Sequence, residues 1–166
     1  MFMTIQDPAE TTTQGGHELN SVTIWCRQGK RLLTPESYMD LVETFQPDIY
    51  VALCDGDTNR TSSTRRVTKS VERSNVMLET CLKRHCASNI LKRKGILGAI
   101  EGGYDLRARD LSIEYLKGKP LAGFIIDGLH NNGPEVEEIP SEQIKDVVQH
   151  TVVSYFIEIR ISIYFN

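Results

Sequence analysis

Short apolar segments alternate with helical segments along this 166-residue chain, and this alternation constrains its fold more than any other feature. Apolar runs bounded by turn residues predict strands, and a hydroxyl or carboxylate cap before a mixed polar and apolar segment predicts a helix. The predicted strands span residues 21–26, 48–53, 96–100 and 121–126, and the predicted helices span residues 34–45, 63–86, 105–118 and 140–148. This order favours an α/β fold with parallel strands. Because a complete eight-unit barrel needs about 250 residues, the chain is expected to form an open doubly wound sheet or part of a barrel.

A fifth strand is predicted at the carboxyl end. Isoleucines occupy alternate positions from Ile157 to Ile163, and Phe165 continues the pattern. A period of two places these side chains on one face of a strand. The segment from Tyr155 to Phe165 also falls where the spacing of the earlier units puts the next strand.

Basic residues are concentrated in the segment 60–94. It contains ten of the nineteen Lys and Arg residues and only two acids, whereas the whole chain has a net charge of −3. Within the helix predicted over residues 63–86, an apolar stripe from Val67 to His85 lies opposite a basic face made of Arg65, Lys69, Arg73, Lys83 and Arg84. An ordered basic face suits the phosphates of a nucleic acid, although a charged helix face can also be only a solvated surface.

Cysteine spacing and the amino terminus narrow the class of protein. No apolar run reaches the length of a membrane helix, and the first residues show no signal peptide, so we expect a soluble intracellular chain with reduced cysteines. Cys81, His85 and Cys86 are close in sequence. Cys81 and His85 fall on the apolar stripe, so we expect core residues rather than zinc ligands.

The carboxyl ends of three predicted strands each carry an acid near glycine. These ends are Cys54-Asp55-Gly56, Glu101-Gly102-Gly103 and Asp127-Gly128-Leu129. In parallel α/β folds such ends converge on the ligand site, and carboxylates there can accept hydrogen bonds from a purine. The pattern predicts a polar pocket, although each acid alone can serve as a turn or cap residue. Asp127 and His130 could form half of a metal site, but ordinary loop polarity explains them better.

Several ordered motifs resemble the tRNA-guanine transglycosylase family, and the resemblance extends from the amino terminus to about Thr151. The motifs are residues 4–13 with Gly15-Gly16-His17, Leu33-Thr34-Pro35-Glu36, residues 48–58, Gly98-Ala99-Ile100-Glu101-Gly102-Gly103 and residues 123–129. The resemblance implies a TIM barrel whose catalytic members exchange the wobble guanine of tRNA for queuine. In those members an aspartate attacks the ribose of a flipped nucleotide, which gives a covalent intermediate.

This chain departs from the catalytic pattern of the family it resembles. Cys54 stands where that pattern has an aspartate, and Asp55 is displaced from that position by one residue. Glu101 replaces a glutamine, and Asp127-Gly128-Leu129 replaces Gly-Gly-Leu. The resemblance places the nucleophilic aspartate and the zinc ligands in units after residue 166. We therefore expect no catalytic residue and no metal ligand in this chain.

The resemblance predicts a partial TIM (β/α)8 barrel over residues 1–153 and a divergent isoleucine-rich tail over residues 154–166. It also predicts a non-catalytic partner that presents tRNA to a catalytic transglycosylase subunit in a heterodimer. The expected location is the cytoplasm or, by resemblance, the periphery of the mitochondrial outer membrane. We expect a weakly stable monomer that is an incomplete version of a longer protein, such as a splice product or a gene-model fragment. An active transglycosylase with a rearranged site and an unrelated α/β small-molecule binder are the alternatives.

Overall fold

Four parallel strands and four helices form the framework in a computed structural model of the chain. The structure describes residues 1–5, 15, 20–129 and 141–164, with side chains in the last range described as far as residue 155. His130 and most of the amino-terminal motif lie outside these residues. The sheet has the order β1-β4-β5-β6, with bounds Phe2–Met3, Ile49–Val51, Gly95–Ile100 and Gly123–Ile126. The predicted α/β architecture is confirmed, and its parallel strands fit part of a TIM barrel.

The helices begin at the capping residues that the sequence indicates. The Thr34 hydroxyl accepts a hydrogen bond from the Ser37 amide, Ser63 caps the second helix, and Asp105 caps the third. The bounds are α1 Pro35–Phe45, α2 Thr64–Ala87, α3 Leu106–Leu116 and α4 Ser141–Tyr164, with a 3₁₀ turn at Leu91–Arg93.

The first predicted strand lies outside the parallel sheet. β2 (Val22–Cys26) pairs antiparallel with β3 (Gly29–Leu33), and only Arg27 and Gln28 separate the paired residues Cys26 and Gly29. So short a connection forms a hairpin, whereas a parallel crossover needs a dozen or more residues. The strand that occupies the sheet position is β1, which pairs with β4 and is only two residues long.

The strand predicted from Tyr155 to Phe165 is wrong, because α4 continues through Tyr164. Val147 and Thr151 are buried one helical turn apart, and the Tyr155 ring packs against Phe124 with centroids 4.7 Å apart. This contact face follows a helical repeat, and each further residue of a formed helix adds a hydrogen bond at little cost. The division at residue 153 stays a prediction.

The core lies between the sheet and helices α1 to α3. Its largest cluster includes Tyr38, Tyr50, Leu78, Ile96 and Ile113. The predicted apolar stripe of α2 is confirmed, since all of its residues are buried: Val67, Val71, Ser74, Leu78, Cys81, Leu82 and His85. This packing fixes the four parallel strands so that their carboxyl ends open on one edge. Among the described residues no helix is long and apolar enough to cross a membrane.

Candidate functional site

Cys54, Glu101 and Asp127 meet at the carboxyl edge of the parallel sheet. They follow β4, β5 and β6, and one sulfur or oxygen atom of each lies within 4.8 Å of the corresponding atoms of the other two. The Cys54 thiol donates a hydrogen bond to Asp127 Oδ2 at 3.3 Å. The expectation that these strand ends converge is confirmed by this geometry. We call these three residues the strand-end cluster.

Asp55 does not join the strand-end cluster. Its carboxylate accepts hydrogen bonds at 3.1 and 2.6 Å from the Arg66 guanidinium and at 2.7 Å from Arg73. Its backbone N–H donates to the Ser74 hydroxyl, and its carbonyl accepts from Ser70. Asp55 is thus a buried structural anion whose carboxylate is bound by two arginines of α2.

Glu101 is fully buried, in an environment that disfavours the ionised form of its carboxyl group. Neither carboxyl oxygen accepts a well-aligned hydrogen bond from a described residue, the Cys54 thiol is the nearby side-chain group that interacts with them, and the residue has 0 % exposure. Burial, followed by the nearby Asp127 and Asp55 charges, raises the pKa of Glu101 well above its usual range. Burial, followed by the nearby Asp127 and Glu101 carboxyl groups, raises the pKa of the Cys54 thiol. Glu101 and Cys54 therefore favour their protonated forms unless a cation or a ligand donor compensates.

The glycines beside the cluster keep its loops close together. Gly128 has φ +75°, and a Cβ there would lie 2.8 Å from both Glu101 Oε2 and Thr58 Oγ1. Gly102 has φ +132°, and its Cβ would meet the Arg109 backbone nitrogen at 2.6 Å. Both positions therefore need glycine for conformation and for space. Gly103 is buried in the same turn, and Leu129 follows Gly128 in a half-buried position.

Arg109 holds the two loops that carry Glu101 and Asp127. This fully buried arginine on α3 donates hydrogen bonds at 2.7–2.9 Å to the carbonyl oxygens of Ile100, Gly103 and Asp127. The Thr58 hydroxyl adds a 2.8 Å hydrogen bond to the Gly128 carbonyl. Neither residue was predicted from the sequence as part of the site. An arginine on the same helix face as the apolar residues Ala108, Ile113 and Leu116 was the signal that could have revealed Arg109.

The predicted basic face of α2 is only partly solvent-facing. Arg65, Lys69 and Lys83 are exposed. The prediction that Arg73 is also exposed is wrong, because the Asp55 ion pair draws its side chain inward, to 12 % exposure. Arg84 pairs at 2.9 Å with both Asp40 and Glu43 of α1, which offset its charge.

Cys81, His85 and Cys86 do not fit a zinc centre. Cys81 is buried in the core, His85 Nδ1 lies 2.8 Å from the Tyr50 hydroxyl, and Cys86 is exposed. Burial lowers the pKa of His85 and raises that of Cys81 to about 11. The interpretation of Cys81 and His85 as core residues is confirmed. The cysteine-rich zinc set that the resemblance implies is not formed by these residues.

Comparison with known proteins gives the family. The family model described as "Queuine tRNA-ribosyltransferase" matches residues 2–155. Proteins named queuine tRNA-ribosyltransferase accessory subunit 2 are 39% identical in Drosophila virilis, 38% in Aedes aegypti and 34% in Ixodes scapularis. These matches cover 91%, 92% and 91% of this chain but only 37%, 37% and 38% of the relatives. The chain thus spans just over a third of their length, and the match over nearly all of it shows that it belongs to the queuine tRNA-ribosyltransferase family.

Proposed function

We propose that this chain is part of an accessory subunit of a queuine tRNA-ribosyltransferase complex, and that it supports the exchange of wobble guanine for queuine without forming the covalent bond itself. The observation that carries the proposal is the environment of Cys54 and Asp55, which follow β4. Cys54 stands where the catalytic pattern has an aspartate, and its thiol is buried with a raised pKa. Asp55 is bound by Arg66 and Arg73. The names of the relatives support the accessory role.

The partner in this proposal is a catalytic subunit of the same family, joined with this chain in a heterodimer. The zinc that the resemblance implies belongs to ligands other than Cys81, His85 and Cys86, because Tyr50 binds His85 and Cys81 lies in the core. Family resemblance further supports a cytoplasmic location with peripheral association with the mitochondrial outer membrane.

The proposed tRNA surface is the amino-terminal part of the basic face, namely Arg65 and Lys69. Arg66, which lies between these two exposed residues on α2, pairs with Asp55 next to Cys54, so the amino-terminal part of α2 lies near the edge of the sheet that carries the strand-end cluster. Lys83 is fourteen residues beyond Lys69 along the helix, which corresponds to about 21 Å at 1.5 Å per residue. Lysine and arginine near the pocket would contribute sequence-independent affinity for tRNA phosphates.

Exchange of labelled guanine in tRNA tests the accessory role. The chain is co-expressed with a catalytic queuine tRNA-ribosyltransferase subunit, purified through a tag on the chain, and compared with each protein alone. We expect co-purification, exchange by the pair, and no exchange or covalent tRNA adduct with this chain alone. Exchange by the isolated chain would instead assign it an active transglycosylase site, and failure to co-purify would contradict the heterodimer.

Charge reversal tests the tRNA surface. Arg65→Glu with Lys69→Glu should weaken tRNA retention by the complex and reduce its dependence on salt, because fewer counterions are released on binding. Lys83→Glu is the matched control, since it reverses an exposed charge at the other end of α2. Equal retention by all three proteins across a salt titration would contradict a role for this surface.

A further inference from the structure

The strand-end cluster combines one thiol and two carboxyl groups in a way that suits a metal ion. Cys54 and Glu101 are buried, Asp127 is half-buried, and their donor atoms all lie within 4.8 Å of one another. We propose that Cys54, Glu101 and Asp127 bind a divalent cation of the zinc type. This inference concerns a property of the chain itself, and it does not depend on the accessory role.

The buried carboxyl group of Glu101 is a second observation that points to a cation. The side chain has 0 % exposure, neither oxygen makes a well-aligned hydrogen bond to a described residue, and the nearby side-chain group that interacts with it is the thiol of Cys54, itself a member of the cluster. A buried polar group without a good hydrogen bond destabilises a fold, so such groups usually have a structural or ligand-binding explanation. A cation between Glu101, Cys54 and Asp127 would supply the missing partner.

Arg109 does not supply a hydrogen bond to the Glu101 carboxyl group. Its guanidinium donates hydrogen bonds to the backbone carbonyls of Ile100, Gly103 and Asp127, and so secures the loops around the cluster. Its positive charge still acts on Glu101 and Asp127. Three ionised ligands carry a charge of −3, which a divalent ion and the Arg109 guanidinium would together neutralise.

The donor types favour zinc over magnesium or calcium. Zinc accepts thiolate sulfur and carboxylate oxygen, whereas magnesium and calcium select oxygen ligands. Three protein ligands would leave one tetrahedral position for water or another ligand. This donor set differs from the cysteine-rich set that the family resemblance implies. The glycine at position 128 leaves room beside Glu101, since a Cβ there would approach Oε2 to 2.8 Å.

Cobalt and zinc titrations of the full chain, purified in a chelator and then freed of it, test the proposal. One equivalent of Co²⁺ should produce a thiolate-to-cobalt charge-transfer band, and Zn²⁺ should abolish it by competition. Cys54→Ser should remove the band. Glu101→Gln should weaken zinc affinity by at least the 10–100-fold that the loss of an outer-shell partner causes, because it removes a direct ligand.

Two exposed cysteines provide matched controls. Cys26→Ser and Cys86→Ser should leave the band and the zinc affinity unchanged. Far-ultraviolet circular dichroism identifies any variant that does not fold. If Cys54→Ser does not fold, Glu101→Gln still tests the site, because it preserves the size of the side chain. Absence of zinc binding by the folded wild-type chain would overturn the proposal, as would a band that disappears in a control variant but persists in Cys54→Ser.

Discussion

The loops that follow β4 and β5 share one backbone hydrogen bond, but the carboxyl groups of Asp55 and Glu101 in these loops have different partners. At each end the backbone N–H of the acid donates to a buried serine of the following helix: Asp55 to Ser74 at 2.8 Å and Glu101 to Ser112 at 3.0 Å. The Asp55 carboxylate then pairs with two arginines of α2. The Glu101 carboxyl makes no well-aligned hydrogen bond to a described residue and interacts only with the Cys54 thiol among the nearby side-chain donors, since the arginine of α3 donates to carbonyl oxygens instead.

This difference separates an acid that stabilises the fold from one that is available to a ligand. Arg66 and Arg73 are seven residues apart, so two helical turns bring them to the same side of α2 and toward Asp55. On α3, the Arg109 guanidinium donates its hydrogen bonds to backbone carbonyls of the loops. Equivalent strand positions therefore acquire different roles through the residues of the next helix, and the following variants test that conclusion.

The largest effect is expected from Asp55→Asn. It leaves Arg66 and Arg73, which are only 13% and 12% exposed, without their anion. Breaking one partner of a buried ion pair destabilises by roughly 3–5 kcal/mol. Urea unfolding measures the change, and Asp40→Asn, which breaks an exposed pair with Arg84, should shift stability by about 1 kcal/mol or less. Similar losses in the two variants would contradict the structural role of Asp55.

Arg109→Met should have the next largest effect. Three carbonyl acceptors lose their donor together, and we expect a destabilisation of about 3 kcal/mol in the same urea experiment. Arg109→Lys retains the charge but not the planar array of donors, so it should recover only part of the loss. Full recovery by lysine would mean that charge near Glu101 matters more than the hydrogen bonds to the loops.

Glu101→Gln should change stability in the opposite direction to Asp55→Asn when EDTA keeps the chain free of metal. The folded-state pKa of Glu101 is raised above its usual 4.5, so the stability of the wild-type chain declines as pH rises through 4.5 toward the folded pKa. A neutral amide removes this penalty, and we expect a gain of about 1 kcal/mol at pH 7. A loss of stability without metal would show that the ionised acid has a stabilising partner.

His85 should produce the smallest effect, confined to mild acid. Burial lowers its pKa below 6.5, so the unfolded chain binds more protons between the folded-state pKa and 6.5. Stability should consequently fall as pH decreases through that window. His85→Gln should reduce this slope relative to wild type, and unfolding curves across the pH range measure the difference. An unchanged slope would mean that His85 does not contribute to it.

The sequence predicted most elements because their signals are local. Thr34 and Asp105 cap their helices, the stripe from Val67 to His85 follows the helical period, and short apolar runs form the inner strands. It also located the strand-end acids, since parallel strands bring their carboxyl ends together regardless of sequence detail. The isoleucine alternation near the carboxyl end misled because packing of Thr151 and Tyr155 favours a continued helix.

By itself, then, the sequence determined the α/β order, the helix caps and the group of acids near glycine, because these depend on periodicity and on neighbours along the chain. Only the tertiary structure decided that Asp55 turns toward α2 while Glu101 joins Cys54 and Asp127. It also drew Arg73 away from the basic face and placed Arg109 behind the loops. The physical reason is that buried charges take the partners nearest in space, and the hydrogen-bond partners of the Asp55 and Arg109 side chains are 6 to 18 residues away along the chain.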